Sequence, residues 1–221
     1  MVIKRFKCIV MLCCCLICVV ILMESTRVTE EVSVNNYRKV VAITFDDGPH
    51  GTNTLTLLNE LRKRNVKATF FLVGERIYGN EDIVLMMYRD GHAIGNHTYS
   101  HQNLTIIKQE EAAKEIFDTN ELISSITGKE VTYIRPPCGF WNEELFESVD
   151  MIPVFWDVDP KDWCTKNVNT IVENVINNVD DGDIILFHDI YETSVVAALE
   201  VIDRLTDMGY VFVTVDEIIL D

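Results

Sequence analysis

The chain has 221 residues and a formal net charge of −16. Three of its 19 basic residues, Lys4, Arg5 and Lys7, precede the first acidic residue, Glu24, so the remainder carries 16 basic against 35 acidic side chains. A surface this acidic argues against nucleic-acid binding, and a neutral glycan fits better as a ligand. The length that follows the first two dozen residues suits one domain with a sizeable core.

Residues 1–23 combine a basic flank with an uncharged apolar run of 16 residues, Cys8 to Met23. This pattern predicts an N-terminal apolar helix that serves as a signal peptide or membrane anchor. At ~1.5 Å per residue the run covers ~24 Å, somewhat less than a hydrocarbon core of ~30 Å. Because the small residues of a cleavage site are missing before Glu24, we expect an uncleaved anchor with its positive end inside. A linker at 24–37 and an extracytoplasmic domain at 38–221 follow.

The domain alternates strand and helix patterns, which predicts a parallel sheet. Strands are predicted at residues 40–45, 68–73, 93–96, 131–134, 152–158, 183–187 and 210–214. Helices are predicted at about residues 55–61, 83–88, 109–126, 142–148, 168–179 and 194–208. The longest helix ends at Gly128, a typical C-terminal stop. A (β/α) barrel fits this alternation best, and an open doubly wound sheet is the alternative.

Two adjacent carboxylates, Asp46 and Asp47, follow the first buried strand, and Gly48-Pro49 breaks the strand after them. Two like charges at this position repel each other unless a cation lies between them. A metal ion can bind one carboxylate and leave the other as a base. Taken alone, the pattern is also explained by ordinary turn chemistry with two solvated carboxylates.

His97 and His101 are four residues apart, so one helical turn would place both imidazoles on the same side. Together with Asp47 they supply two nitrogens and one oxygen and leave a position open for water, as in a catalytic zinc site. The same ligand set can hold non-haem iron. The neighbouring acid favours hydrolysis instead, because Asp46 can take a proton from the water.

Three further polar clusters follow predicted strands: RPPCG at 135–139, DPKDW at 159–163 and LFH at 186–188. In strand–helix proteins the loops after the strands gather on one face, where active sites lie. With TFDDGP at 44–49 and HTYSH at 97–101, these segments resemble, in order, the five motifs of the polysaccharide deacetylases, carbohydrate esterase family 4. The resemblance extends from about Tyr37 to the C-terminus. It implies that 38–221 is a catalytic domain with a distorted, incomplete barrel.

The resemblance also implies a metal centre and a base. Asp46 is expected to be the general base, and Asp47, His97 and His101 the ligands of a divalent metal. Zinc is the first expectation, and cobalt, nickel or manganese would be accepted with little change. Arg135 matches the residue that orients the base, and a fixed cation there would keep Asp46 ionised.

The remaining roles concern the leaving group and the substrate. His188 matches the general acid, and Asp162 matches the carboxylate that holds its positive charge. Trp163 and Leu186 match apolar positions around the acetyl methyl group. The positions implied to bind substrate are Pro137, Cys138, Trp163 and Leu186.

Cys138 departs from the family pattern, which usually has tyrosine there. The family uses the backbone N–H of this residue to help hold the oxyanion, and a backbone donor survives the substitution. Cys164 directly follows Trp163, in another motif loop that lines the same cleft. Because exported cysteine pairs usually oxidise, we predict a Cys138–Cys164 disulfide, with two separate thiols as the alternative.

The expected activity is a metal-dependent removal of N-acetyl groups from an extracellular glycan. A short basic-flanked anchor suggests a bacterial cell envelope, so the N-acetylglucosamine of peptidoglycan or of a chitooligosaccharide is the expected substrate. An esterase that removes O-acetyl groups from xylan is one alternative, and a non-catalytic glycan-binding module of the envelope is another. We expect a monomer.

Overall fold

The computed structural model describes residues 38–141 and 149–219. The predicted N-terminal helix, the linker at 24–37 and the helix predicted at 142–148 lie outside these residues. Within the part of the chain that the structure describes, no helix has the length and apolar character needed to cross a membrane.

The described residues contain a sheet of seven strands, and every pair of neighbouring strands is parallel. The strands are β1 (Val40–Asp46), β2 (Thr69–Leu72), β3 (Ala93–Asn96), β4 (Tyr133–Ile134), β5 (Ile152–Pro153), β6 (Ile184–His188) and β7 (Val211–Val213). Their order is β5-β4-β3-β2-β1-β6, and β7 pairs with the first half of β1. The central strand β1 is buried along almost its whole length, as its β-branched and aromatic residues predict.

Helices connect the strands and cover the sheet. They are α1 (Asn53–Arg64), α2 (Gly74–Ile77), α3 (Glu81–Arg89), α4 (Gln109–Thr127), α5 (Val168–Ile176), α6 (Glu192–Asp207) and α7 (Val215–Ile219). In α1 the leucines at 57, 58 and 61 are fully buried and form the core face of the helix, whereas Leu55 is exposed. As predicted, α4 ends at Gly128, whose φ of 71° is left-handed.

The strand predicted at 152–158 is interrupted, and the interruption shapes the sheet. Regular pairing with β4 ends at Pro153. Val158 then bridges Ile185 of β6, and the Leu186 N–H donates to the Val158 carbonyl at 2.9 Å. The segment therefore leaves one edge of the sheet and reaches the other, which an open doubly wound sheet does not do. The parallel sheet thus curls into a distorted half-barrel, as predicted.

The strand register brings the motif residues to one end of the sheet. Asp46 at the end of β1 is paired with His188 at the end of β6. Asn96 at the end of β3 is paired with Ile134 of β4, so His97 and Arg135 follow at the same level. Because the strands are parallel, these chain ends meet at one edge, where the candidate site forms.

Candidate active site and metal centre

Asp47, His97 and His101 lie close enough together to share a metal ion. The Asp47 Oδ1 is 3.6 Å from Nε2 of His97 and 3.3 Å from Nε2 of His101. This oxygen is buried and accepts no hydrogen bond from the described residues. A buried carboxylate oxygen without a partner is costly, and a cation between the imidazoles would satisfy it. The chemistry and spacing of the three groups therefore fit a divalent metal.

The two imidazoles converge through a turn and not through a helix, so the predicted helical turn is wrong. Thr98 and His101 have φ values of 65° and 58°, both left-handed. The Asn96 side chain accepts the Thr98 N–H at 2.6 Å and stabilises this bend directly after β3. The bend places the ring centroids of His97 and His101 4.9 Å apart.

The environment of His97 prepares it as a neutral ligand. Its Nδ1–H donates to the Arg135 carbonyl at 2.6 Å, which leaves the Nε2 lone pair directed at Asp47. Burial lowers the pKa of His97 to about 3, against the opposing effect of the Asp47 charge. The imidazole is thus unprotonated at neutral pH, the form that binds a metal.

Asp46 is buried beside the metal ligands, and its carboxylate forms an ion pair with the Arg135 guanidinium. Its Oδ1 accepts from Arg135 Nη1 at 2.8 Å, and its Oδ2 lies 3.8 Å from His97 Nε2. Burial raises the pKa of the Asp46 carboxyl, and the Arg135 charge opposes this rise without cancelling it. Arg135 therefore acts in the predicted direction, but burial has the larger effect. The result is a carboxylate that accepts a proton more readily than an exposed aspartate.

Arg135 is fully buried, and its guanidinium is held on several sides. Besides Asp46, it donates to the Thr44 hydroxyl at 2.6 Å and to the carbonyls of Val154 and Phe155 at 3.2 and 3.0 Å. Its Cζ lies 4.2 Å from the centroid of the Phe71 ring. These contacts fix the arginine, and with it the orientation of the Asp46 carboxylate.

On the β6 side, His188 is clamped by Asp162. One carboxylate oxygen of Asp162 accepts the His188 Nδ1–H at 2.9 Å, and the other accepts the His188 backbone N–H at 2.8 Å. Burial lowers the pKa of His188, but the hydrogen bond and charge of Asp162 outweigh it and raise the pKa to about 9. The imidazole is therefore protonated at neutral pH, and Nε2–H remains available to a ligand.

A cavity of about 390 Å³ joins these groups. Its lining residues are Asp46, Asp47, His97, His101, Cys138, Trp156, Asp159, Trp163, Leu186 and His188. Of the predicted site residues, Arg135 and Asp162 are buried behind this lining, and Pro137 is buried without lining it. Sequence reasoning assigned no role to Trp156 or Asp159.

The predicted disulfide is wrong, because Cys138 and Cys164 are both free and exposed. Cys138 lies in a short 3₁₀ turn with a left-handed φ of 56°. The Cys164 thiol turns back on its own loop, where Sγ lies 3.2 Å from the Lys161 carbonyl oxygen. Cys138 lines the cavity and Cys164 does not, so the expected shared cleft did not bring the two thiols together.

Two residues that sequence reasoning missed support the Asp47 turn. The Arg76 Nη1 donates to the Asp47 carbonyl at 2.7 Å. Asp189 is fully buried, accepts from the Thr54 hydroxyl at 2.5 Å and packs on Gly48, and burial raises the pKa of its carboxyl to about 7. The position of Asp189 directly after His188 was a usable signal, whereas nothing in the sequence around Arg76 marked it.

Comparison with known proteins identifies the family. A family model described as polysaccharide deacetylase matches residues 33–153. The chain is 44% identical over 189 residues to the peptidoglycan-N-acetylmuramic acid deacetylase PdaC of Bacillus subtilis, a match that covers 86% of this chain and 40% of PdaC. It is 35% identical to the peptidoglycan-N-acetylglucosamine deacetylase PgdA of Listeria monocytogenes serotype 1/2a, over 85% of this chain and 40% of PgdA. The chain thus spans about two fifths of the length of these relatives.

Solved structures of two related proteins superpose on this chain. The structure of PdaC superposes with a TM-score of 0.81 at 44% identity, covering 84% of this chain and 92% of that one. A family 4 acetyl xylan esterase from Clostridium thermocellum, solved with a cobalt ion, superposes with a TM-score of 0.77 at 37% identity, covering 81% and 90%. With the family model matching more than half of its length, the chain belongs to the polysaccharide deacetylases, carbohydrate esterase family 4.

Proposed function

We propose that this chain is a zinc-dependent hydrolase that removes N-acetyl groups from peptidoglycan. One observation carries the proposal: a base, Asp46, and a protonated acid, His188, line the same cavity as the Asp-His-His centre. Amide hydrolysis needs a group that accepts a proton from water and another that donates one to the departing amine. A non-catalytic glycan-binding module has no need of this pair.

The first half of the reaction depends on Asp46. A divalent cation held by Asp47, His97 and His101 would polarise the acetamide carbonyl and make a nearby water easier to deprotonate. Asp46 accepts the proton of the attacking water, and Arg135 keeps the carboxylate oriented towards it. The backbone N–H of Cys138, at the wall of the cavity, donates to the oxyanion that develops on the substrate.

The second half of the reaction depends on His188. Its Nε2–H protonates the amine as the carbon–nitrogen bond breaks, while Asp162 holds the ring in place through Nδ1. Trp163 and Leu186, on the cavity wall, pack against the acetyl methyl group. The products are acetate and a free amino sugar.

The choice of peptidoglycan rests on relatives with that substrate in their names, in Bacillus and Listeria. N-Acetylglucosamine is our first choice of sugar, by analogy with the deacetylase of Listeria monocytogenes. N-Acetylmuramic acid is the second candidate, because the relative that carries that activity in its name is 44% identical. The similarity to an acetyl xylan esterase keeps ester hydrolysis as a third candidate.

Acetate release from defined substrates tests the proposal. The full-length protein is stripped with a chelator and reloaded separately with zinc, cobalt, nickel or manganese. We expect release from peptidoglycan and from chitopentaose that requires the metal, with little release from acetylated xylan. Release from xylan alone would establish the esterase, and no release from any glycan with any metal would overturn the proposal.

The proposed location is the outer face of a bacterial cytoplasmic membrane, with residues 1–23 as the anchor. The basic flank and the apolar run support this proposal. Fractionation of expressing cells, with protease added from outside, tests it. Recovery of the protein in the cytosolic fraction would contradict it.

A further inference from the structure

A second cavity, of about 450 Å³, lies beside the catalytic one and is called here the Arg76 cavity. It is lined by Pro49, His50, Arg76, Tyr78, Asn80 and Ile190, among others. Asp47 and His188 line the catalytic cavity, and the residues two positions after each of them line the Arg76 cavity. The chain segments at the ends of β1 and β6 therefore contribute residues to both cavities, which places the cavities next to each other.

Arg76 has more hydrogen-bond donors than its contacts with the described residues use. A guanidinium carries five N–H donors, and the Asp47 carbonyl takes one of them at 2.7 Å. No carboxylate within residues 38–141 and 149–219 forms an ion pair with Arg76. Among the arginines of these residues, Arg62, Arg64, Arg135 and Arg204 form ion pairs with carboxylates. Arg38 and Arg89 form none either, but both are exposed, whereas Arg76 is half-buried in the wall of a cavity.

The rest of the lining adds a donor and an aromatic face, and it contributes no carboxylate. The His50 Nδ1 accepts the Asn53 N–H at 3.2 Å, so the hydrogen of the neutral ring is on Nε2, which can donate. Tyr78 is 61% exposed and can pack against a sugar ring. With a cationic side chain and no carboxylate among its lining residues, the Arg76 cavity attracts an anion.

We propose that the Arg76 cavity is a subsite for a carboxylate carried by the glycan substrate, with Arg76 as its main ligand. An arginine fork matches the two oxygens of a carboxylate and holds them in a fixed orientation. The proposal rests on the proposed function and deepens it. It assigns a preference for glycans with acidic substituents, as in the lactyl group of muramic acid or the peptide attached to it, over neutral chitooligosaccharides.

The test compares one glycan in two charge states. The substrate is a peptide-free peptidoglycan tetrasaccharide, used with free lactyl carboxylates and as its methyl ester, with the full-length, metal-loaded protein. We expect kcat/KM for the acid to exceed that for the ester roughly tenfold to a hundredfold, the usual strength of a hydrogen bond to a charged group. A peptide-bearing tetrasaccharide forms a third arm. A higher kcat/KM there than for the free acid identifies the peptide carboxylates as the preferred source.

The variant Arg76→Gln separates binding from support of the Asp47 turn. If Arg76 binds the carboxylate, the variant loses the preference for acid over ester. If Arg76 only supports the turn, kcat/KM for both substrates falls by the same factor and the preference remains, which overturns the proposal. The matched control is Arg89→Gln, which removes an exposed arginine from α3 outside both cavities and should keep the preference.

Two results keep this inference distinct from the proposed function. If the wild-type protein releases acetate from acid and ester at equal kcat/KM, the subsite is refuted and the deacetylase stands, even where Arg76→Gln does not fold. If it releases no acetate from any glycan, the proposed function itself fails. Binding of N-acetylmuramic acid and of its methyl ester, measured by calorimetry, then decides the subsite separately, and equal affinities refute it.

Discussion

His97 and His188 line the same cavity, yet their pKa values are shifted in opposite directions, to about 3 and about 9. Both rings are largely buried, and burial alone disfavours the charged form of each. The largest part of the difference comes from the group that accepts the Nδ1–H, and the charges of Asp46 and Asp47 add to it at His188. For His97 it is the neutral carbonyl of Arg135, whereas for His188 it is the charged carboxylate of Asp162.

This difference divides the site into two halves. The half formed by β1, β3 and β4 keeps its imidazole neutral and can bind a cation. The half formed by β6 and the loop that carries Asp162 keeps its imidazole protonated and can release a proton. The lesson is that the partner of Nδ1, and not the residue type, assigns a histidine its role.

Removing the metal-binding half should have the largest effect. We expect His97→Ala to lower activity to the level of the chelated wild-type protein, because two ligands remain where three are needed for a catalytic centre. Metal content per chain, measured by mass spectrometry of metals, should fall with it. His50→Ala, which removes an exposed histidine that does not line the catalytic cavity, is the control and should retain the metal. A His97→Ala protein with full metal content would contradict the assignment.

The second-largest effect is expected when the base is removed and the metal ligands are kept. Asp46→Asn preserves the size of the side chain and should retain the metal, but it removes the proton acceptor. We expect kcat to fall by roughly 10²–10⁴, the usual contribution of a general base. Hydrolysis of chitopentaose at the wild-type rate would show that another group accepts the proton.

Replacing Asp162, so that His188 has an uncharged partner at Nδ1 as His97 does, should have a smaller effect on activity. This effect should depend on pH. The raised pKa keeps His188 protonated at neutral pH, so activity that depends on the acid is lost as pH rises through this pKa, which is about 9 before a cation binds in the cleft. Asp162→Asn removes the charge and keeps one of the two acceptor oxygens, so the pKa of His188 falls in the direction that burial favours. We expect the alkaline limb of the kcat profile to move down by about one to two pH units, from the typical strength of a charged hydrogen bond.

The comparison of the two proteins is made with the same metal, because a cation in the cleft lowers the pKa of His188 in both. Activity at low pH should be affected least, since the variant acid is still protonated there. A kcat that falls by the same factor at every pH would mean that Asp162 only positions the ring.

The smallest effect is expected at Gly48, where the half of the site that contains β1 contacts the half that contains β6. A Cβ added at Gly48 would lie 2.5 Å from an oxygen of the buried Asp189. We expect Gly48→Ala to lower the free energy of unfolding by about 1–3 kcal/mol through overpacking. Gly51→Ala, whose Cβ would meet only the Asn80 side chain at 3.3 Å, is the control. Thermal melts in chelator check this prediction, and equal melting temperatures would contradict it.

The sequence by itself predicted the order of the seven parallel strands and most of the residues that line the candidate site. Alternating patterns predicted the parallel sheet, because strand and helix periods differ and a buried strand reads as a continuous apolar run. The five motifs then pointed to Asp46, Asp47, His97, His101 and His188, all of which line one cavity. Residues that end strands carry this signal since parallel strands end at one edge.

Only the tertiary structure decided the loop conformations, the contacts and the protonation of these residues. The bend at Thr98, the free thiols of Cys138 and Cys164 and the contact of Arg76 with Asp47 depend on loop paths, and local patterns do not encode those paths. The opposite protonation of two histidines likewise depends on which acceptor the fold places at Nδ1. Electrostatic energies depend on burial and on distances between segments far apart in the chain. Both are determined by the tertiary fold and not by local sequence.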